Sequence, residues 1–143
     1  SWGVIHHSPN TQKAIDEIYR VLKPGGAGKV MIYNKWSFVG LMLWVRYALF
    51  RLNPFIGLNH IYSEFLESPG TKAYSKKEAK QMFSSFSSVH IDTVLTHGDL
   101  LDGPAGQRHG GVLIKIARSI WPKRTIKKIF PKLGLFMLIR LKK

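Results

Sequence analysis

The run Val21-Leu22-Lys23-Pro24-Gly25-Gly26 ends one periodicity and starts another. Ahead of it Ala14, Ile15, Ile18, Val21 and Leu22 fall on one stripe at helical spacing, and behind it Val30, Met31, Ile32 and Tyr33 are apolar without a break. Pro24 cannot continue a helix and the glycine pair reverses the chain without a Cβ penalty, so a strand is expected within a few residues. A run apolar at every position suits a strand buried on both faces, as in parallel sheets. With Ser1-Trp2-Gly3-Val4-Ile5-His6-His7 in front, and Ser8-Pro9-Asn10 as turn and cap, the order reads strand, loop, helix, stop, strand. That is one right-handed crossover unit of a parallel sheet, entered part-way through. Such sheets continue on both sides of a strand, so the expectation is the C-terminal part of a larger α/β domain.

Further along, residues 36–52 are apolar and aromatic but interrupted by Arg46 and Arg51. The segment is shorter and more charged than the roughly 20 mainly apolar residues that span a bilayer. It suits an interfacial helix, a lid over a pocket, or a core helix in a bulky insertion. Asn53-Pro54 ends it. Ser75-Lys76-Lys77-Glu78 has the form of a capping box, opening a helix expected to run to about Phe86 with Ala79, Met82, Phe83 and Phe86 inward. Val89, Ile91, Thr93 and Leu95 alternate with more polar neighbours, as in a strand near a sheet edge. Residues 97–111 hold five glycines and a proline and read as a long loop. Helices are expected over 112–121 and 125–130, separated by Pro122. The final run Leu135-Phe136-Met137-Leu138-Ile139-Arg140-Leu141 is apolar enough to belong inside a sheet, and is expected between the strands at 30–33 and 89–96.

The 143 residues suffice for one domain, and a hydrophobic content of 45% excludes a disordered chain. The absence of cysteine removes disulfides, thiolate metal ligands and cysteine nucleophiles, and fits a reducing compartment. No basic-then-apolar leader is visible, so the expected location is cytoplasmic, with a peripheral membrane position as the variant. The formal charge is +14, and beyond Asp102 every charged residue is basic. Such a field attracts polyanions: anionic lipid head groups, phosphorylated substrates or, with less support because no recognised motif is present, nucleic acid.

Residues 1–9, then Ala14-Ile15-Asp16-Glu17-Ile18-Tyr19-Arg20-Val21-Leu22-Lys23-Pro24-Gly25-Gly26, then Val30-Met31-Ile32-Tyr33, resemble the second half of class I S-adenosylmethionine-dependent methyltransferases. The likeness is nearest to the branch of ubiquinone and menaquinone biosynthesis enzymes. It implies a partial Rossmann-like sheet: residues 1–5 as the end of strand four, the runs at 30–33, 89–96 and 135–141 as strands five, six and seven, the last antiparallel, with flanking helices. Residues 36–70 would be a substrate-cover insertion and 97–134 a basic loop and helix insertion. The family's glycine-rich turn after strand one and the acidic end of strand two have no counterpart here. The cofactor-binding half is thus expected to be missing, and these residues alone to be inactive.

The resemblance further implies that the loop leaving strand four lies beside the sulfonium of S-adenosylmethionine, assigning Trp2, Gly3 and Val4 to the cofactor. His6 or His7 would take a proton from a hydroxyl acceptor, the alternative for each being a histidine that only packs or hydrogen-bonds. Tyr33, Asn34, His60 and Tyr62 would face a small acceptor, for which an aromatic cover suggests an apolar or lipid-like molecule. Adjacent histidines without a third ligand nearby argue against a metal. The competing reading is a non-enzymatic basic module that docks on anionic membrane or nucleic acid through residues 115–143.

Overall fold

The computed structural model describes residues 1–102 and 117–143. The core element is β1 (Ala27–Asn34), buried along its carboxyl half. On one side it pairs antiparallel with β4 (Phe136–Lys142), from Ala27 opposite Lys142 to Tyr33 opposite Phe136. β4 in turn pairs antiparallel with β3 (Ser88–Val94). The final strand therefore lies between two strands that run parallel to each other, as its apolar run led one to expect. β3 forms the edge and alternates in burial, while Arg140 of β4 faces outward and reaches Asp92 of β3 at 3.0 Å.

The other side of β1 carries two short parallel partners. Residues 1–3 form a ladder with it: Ser1 N donates to Lys29 O at 3.0 Å, Met31 N to Ser1 O at 2.9 Å and Gly3 N to Met31 O at 3.2 Å. Beyond them β2 (Ala73–Tyr74) pairs with Tyr33 and Asn34. A two-residue strand leaves no periodic signal, so it was absent from the sequence expectation.

Helix α1 (Thr11–Val21) starts where the Asn10 side chain accepts from Lys13 N at 3.0 Å. It ends at the Pro24-Gly25 stop, with Gly25 at φ +74. Ile15 and Ile5, with Ala79, Phe83 and Phe86, cover one face of the sheet, over Val30, Ile32, Met137, Ile139 and Leu141. Helix α4 (Lys76–Met82) opens with the expected capping box between Ser75 and Glu78. It stops before Phe86 because Ser84 and Ser85 favour non-helical turns, yet Phe83 and Phe86 still point inward.

The opposite face, around Met31 and Tyr33, is covered by α2 (Phe38–Trp44) and α3 (Leu58–Phe65). Helix α2 continues into a wide π-helical turn, Val45–Leu49, in which Phe50 N donates to Val45 O at 3.0 Å. The expected loop at 97–111 begins instead as helix α5 (His97–Leu100), because Thr96 and Asp99 form a second capping box. Residues 103–111 of that loop, and residues 112–116 of the expected helix, lie outside the described residues. Residues 117–120 are helical. Helix α6 (Lys123–Ile129) follows Pro122 and presents Arg124, Lys127 and Lys128 to solvent.

Candidate functional site

The carboxyl ends of the parallel strands meet at one edge, and a turn and a loop are pinned there. After its ladder with β1 the chain turns at Gly3, whose φ of +70 and close approach to Met31, 3.3 Å from where a Cβ would stand, favour glycine. This throws Ile5–His7 into a single 3-10 turn beside Tyr33. The β1–β2 pairing brings the loop at 67–72 to the same place, held by Lys72 Nζ donating to Ser8 O at 2.8 Å and Pro9 O at 2.7 Å.

His6 is fully buried, and neither ring nitrogen has a hydrogen-bond partner. Its ring lies 4.2 Å from those of both Tyr33 and His7, centroid to centroid. Burial, reinforced by His7, lowers its pKa to about 4, so at neutral pH it is an uncharged imidazole with an unshared lone pair. His7 is more exposed. Its Nδ1 sits 3.3 Å from both Ser68 Oγ and Thr71 Oγ1, and its Nε2 lies 3.6 Å from Glu67 Oε2. Burial, with a hydrogen bond to the Glu67 carboxylate, raises the Tyr33 hydroxyl well above its ordinary pKa and keeps it a donor.

Trp2 and Val4 flank this turn with side chains exposed to 58% and 63%. The structure thus gathers Trp2, Gly3, Val4, His6, His7 and Tyr33 at one edge. Asn34 and Tyr62 have a different place. Both are buried, and Asn34 Nδ2 donates to Trp36 O at 2.7 Å and Gly134 O at 2.9 Å. The Tyr62 hydroxyl contacts Ser37 Oγ at 2.9 Å, Lys35 O at 3.1 Å and Asn34 O at 3.2 Å, and burial raises its pKa. These two hold the exit of β1 in shape. His60 is exposed on α3. Glu67, Ser68 and Thr71 were not foreseen. Only the β1–β2 pairing shows which residues the loop at 67–72 delivers.

Next to this edge, where β1 passes into α2, lies a cavity of about 540 Å³. Trp36, Leu41, Trp44, Ile56 and Leu58 make its walls almost wholly apolar, with Lys35 at its border. Its one hydroxyl, Ser37 Oγ, is engaged by Tyr62 and by Gly40 N at 3.0 Å. Among the described residues no group of three or more His, Cys, Asp or Glu is placed to share a metal ion.

Residues 1–28 match a family model described as a methyltransferase domain. The chain also superposes, over 99% of its length, on the crystal structure of a SAM-dependent methyltransferase, possible histamine N-methyltransferase, from Thermotoga maritima. The TM-score is 0.54 at 19% identity, and the chain spans 53% of that protein, about half its length. No curated protein matches the sequence. At this identity the likeness speaks for the fold: a mixed α/β sheet with flanking helices, of the kind found in that methyltransferase.

Proposed function

We propose that residues 1–143 form the acceptor-side part of a class I S-adenosylmethionine-dependent methyltransferase, close to the quinone-biosynthesis branch. On this reading other residues supply the glycine-rich turn and the acidic strand end that grip the cofactor. The acceptor is small and apolar, and residues 36–70 cover it. The observation that carries the proposal is His6: a buried, neutral imidazole with both nitrogens unpaired, at the carboxyl end of the sheet, where α/β folds bind ligands. A buried polar group without a partner calls for one from a ligand or from a neighbouring segment.

The residues present fit the cofactor. Trp2 and Val4 offer exposed apolar surface beside that imidazole, and Gly3 keeps the backbone slim between them. When bound, S-adenosylmethionine supplies an electrophilic methyl group on a cationic sulfur. Transfer from it depends mainly on alignment, so the protein's part is to hold the acceptor and exclude water. The apolar cavity offers a place to hold it. His6 accepts a proton at a ring nitrogen if the acceptor is a hydroxyl, and Tyr33, kept protonated, donates a hydrogen bond at the same edge.

The test uses the complete reading frame. Calorimetry should give one cofactor per chain, whereas residues 1–143 alone should give no measurable heat. With methyl-labelled cofactor and a total lipid extract, label should enter the organic phase. His6→Ala should slow that transfer by about 100-fold or more while leaving cofactor binding intact. No binding by the complete protein removes the proposal, and label confined to water-soluble acceptors removes its apolar-acceptor part.

A further inference from the structure

We infer that the tip between α2 and α3, residues 49–55, inserts into the interface of an anionic lipid bilayer. Phe50, Leu52 and Phe55 are exposed to 67%, 92% and 95%, on a turn that packs none of them into the core. Leu52 also sits at φ +56, a left-handed position where glycine or asparagine is the usual choice. Burial does not account for a leucine there, since it is exposed to 92%. A bilayer does, since it receives apolar side chains at the level of the acyl chains.

Two arginines lie beside the same tip. The Arg46 and Arg51 guanidinium groups each lie 5.3 Å from the Tyr47 ring, and Arg51 is also 5.6 Å from Phe65. No acidic residue occurs between Glu17 and Glu64. Apolar points beside two arginines complement anionic head groups over an acyl layer. A second copy of the chain would bring arginine against arginine in a molecule of formal charge +14. Nucleic acid would use the arginines and leave Leu52 and Phe55 in water. Immediately beyond the tip, Ile56, Gly57 and Leu58 line the apolar cavity, so a docked tip would set the mouth of that cavity at the lipid surface. The docking itself requires no methyl transfer.

Co-sedimentation of the full chain with phosphatidylcholine vesicles, with and without phosphatidylglycerol, tests this. Binding should require phosphatidylglycerol, and Leu52→Ser/Phe55→Ser should weaken it about tenfold or more with an unchanged melting temperature. Lys127→Gln/Lys128→Gln, on the exposed face of α6, should weaken it far less. Three results would overturn the inference: equal binding by Leu52→Ser/Phe55→Ser, binding lost only with the lysine variant, or no vesicle binding alongside a dimer that Leu52→Ser/Phe55→Ser dissociates. Because vesicle binding needs neither cofactor nor acceptor, its failure is separable from failure of the enzymatic proposal.

Discussion

Burying an imidazole with two unpaired nitrogens costs on the order of 1–3 kcal/mol, and protonating it there costs more. His6 therefore couples folding to pH. Its folded pKa, about 4, lies below the unfolded value of 6.5, so the unfolded chain takes up the proton first as pH falls. The stability held above pH 6.5 should thus decline as pH drops toward 4, by at most about 3 kcal/mol. Urea midpoints between pH 7.5 and pH 5 should show this decline, and His6→Phe should flatten it. That window stays above the range in which Glu78 and Asp102 titrate, because hydrogen bonds from Ser75 and Lys123 respectively hold both carboxyls below their ordinary values. An equally steep decline in His6→Phe would assign the pH dependence elsewhere.

Asp99 joins three elements. Its Oδ1 accepts from Val39 N at 3.1 Å, and its Oδ2 from Thr96 N at 2.9 Å, Thr96 Oγ1 at 2.8 Å and Leu135 N at 2.8 Å. It thereby ties the first turn of α2 and the start of α5 to the entry of β4, and it is fully buried. Asp99→Asn would turn an amide nitrogen toward donors and should destabilise the chain by about 2–4 kcal/mol, read as a lowered melting temperature. A variant that melts with the parent would show that the contacts are incidental. Asp99 also marks what the sequence could and could not tell. Pro24-Gly25-Gly26, the Ser75 capping box and the apolar final strand were legible because each acts within a few residues or through a simple period. The Thr96 box has the same form as the Ser75 box, but a glycine-rich stretch follows it and masked it as loop. At the site, the histidine turn was legible as the exit of a strand. Glu67 and Thr71 were not, because a two-residue strand pairing carries them there across a gap of some sixty positions. Asn34 stands out as the end of a strand and Tyr62 as part of an expected substrate cover, and the sequence does not show the hydrogen bonds that both make to backbone carbonyls.

At the scale of the whole molecule, 22 lysines and arginines face eight acidic residues, and several of those acids are already engaged. Glu78 and Asp99 serve capping boxes. Among the described residues, the acids paired with lysine or arginine are Glu17, Asp92 and Asp102. Such exposed pairs contribute about 0–1 kcal/mol each, so screening them removes little. The cations left over repel one another across the surface, and salt shortens that repulsion to about 10 Å at 0.1 M. Sodium chloride raised from 0.02 to 0.5 M should therefore increase the melting temperature by several degrees, with sulfate acting more strongly because it also strengthens apolar burial. The sign is the discriminating quantity. A melting temperature that falls with salt would mean that ion pairs outweigh self-repulsion, and the excess positive charge could then no longer be treated as an unneutralised field available to anionic surfaces. A rise would show that folding itself is strained by this charge, and that any anionic surface which relieves it, a bilayer included, stabilises the folded chain as it binds.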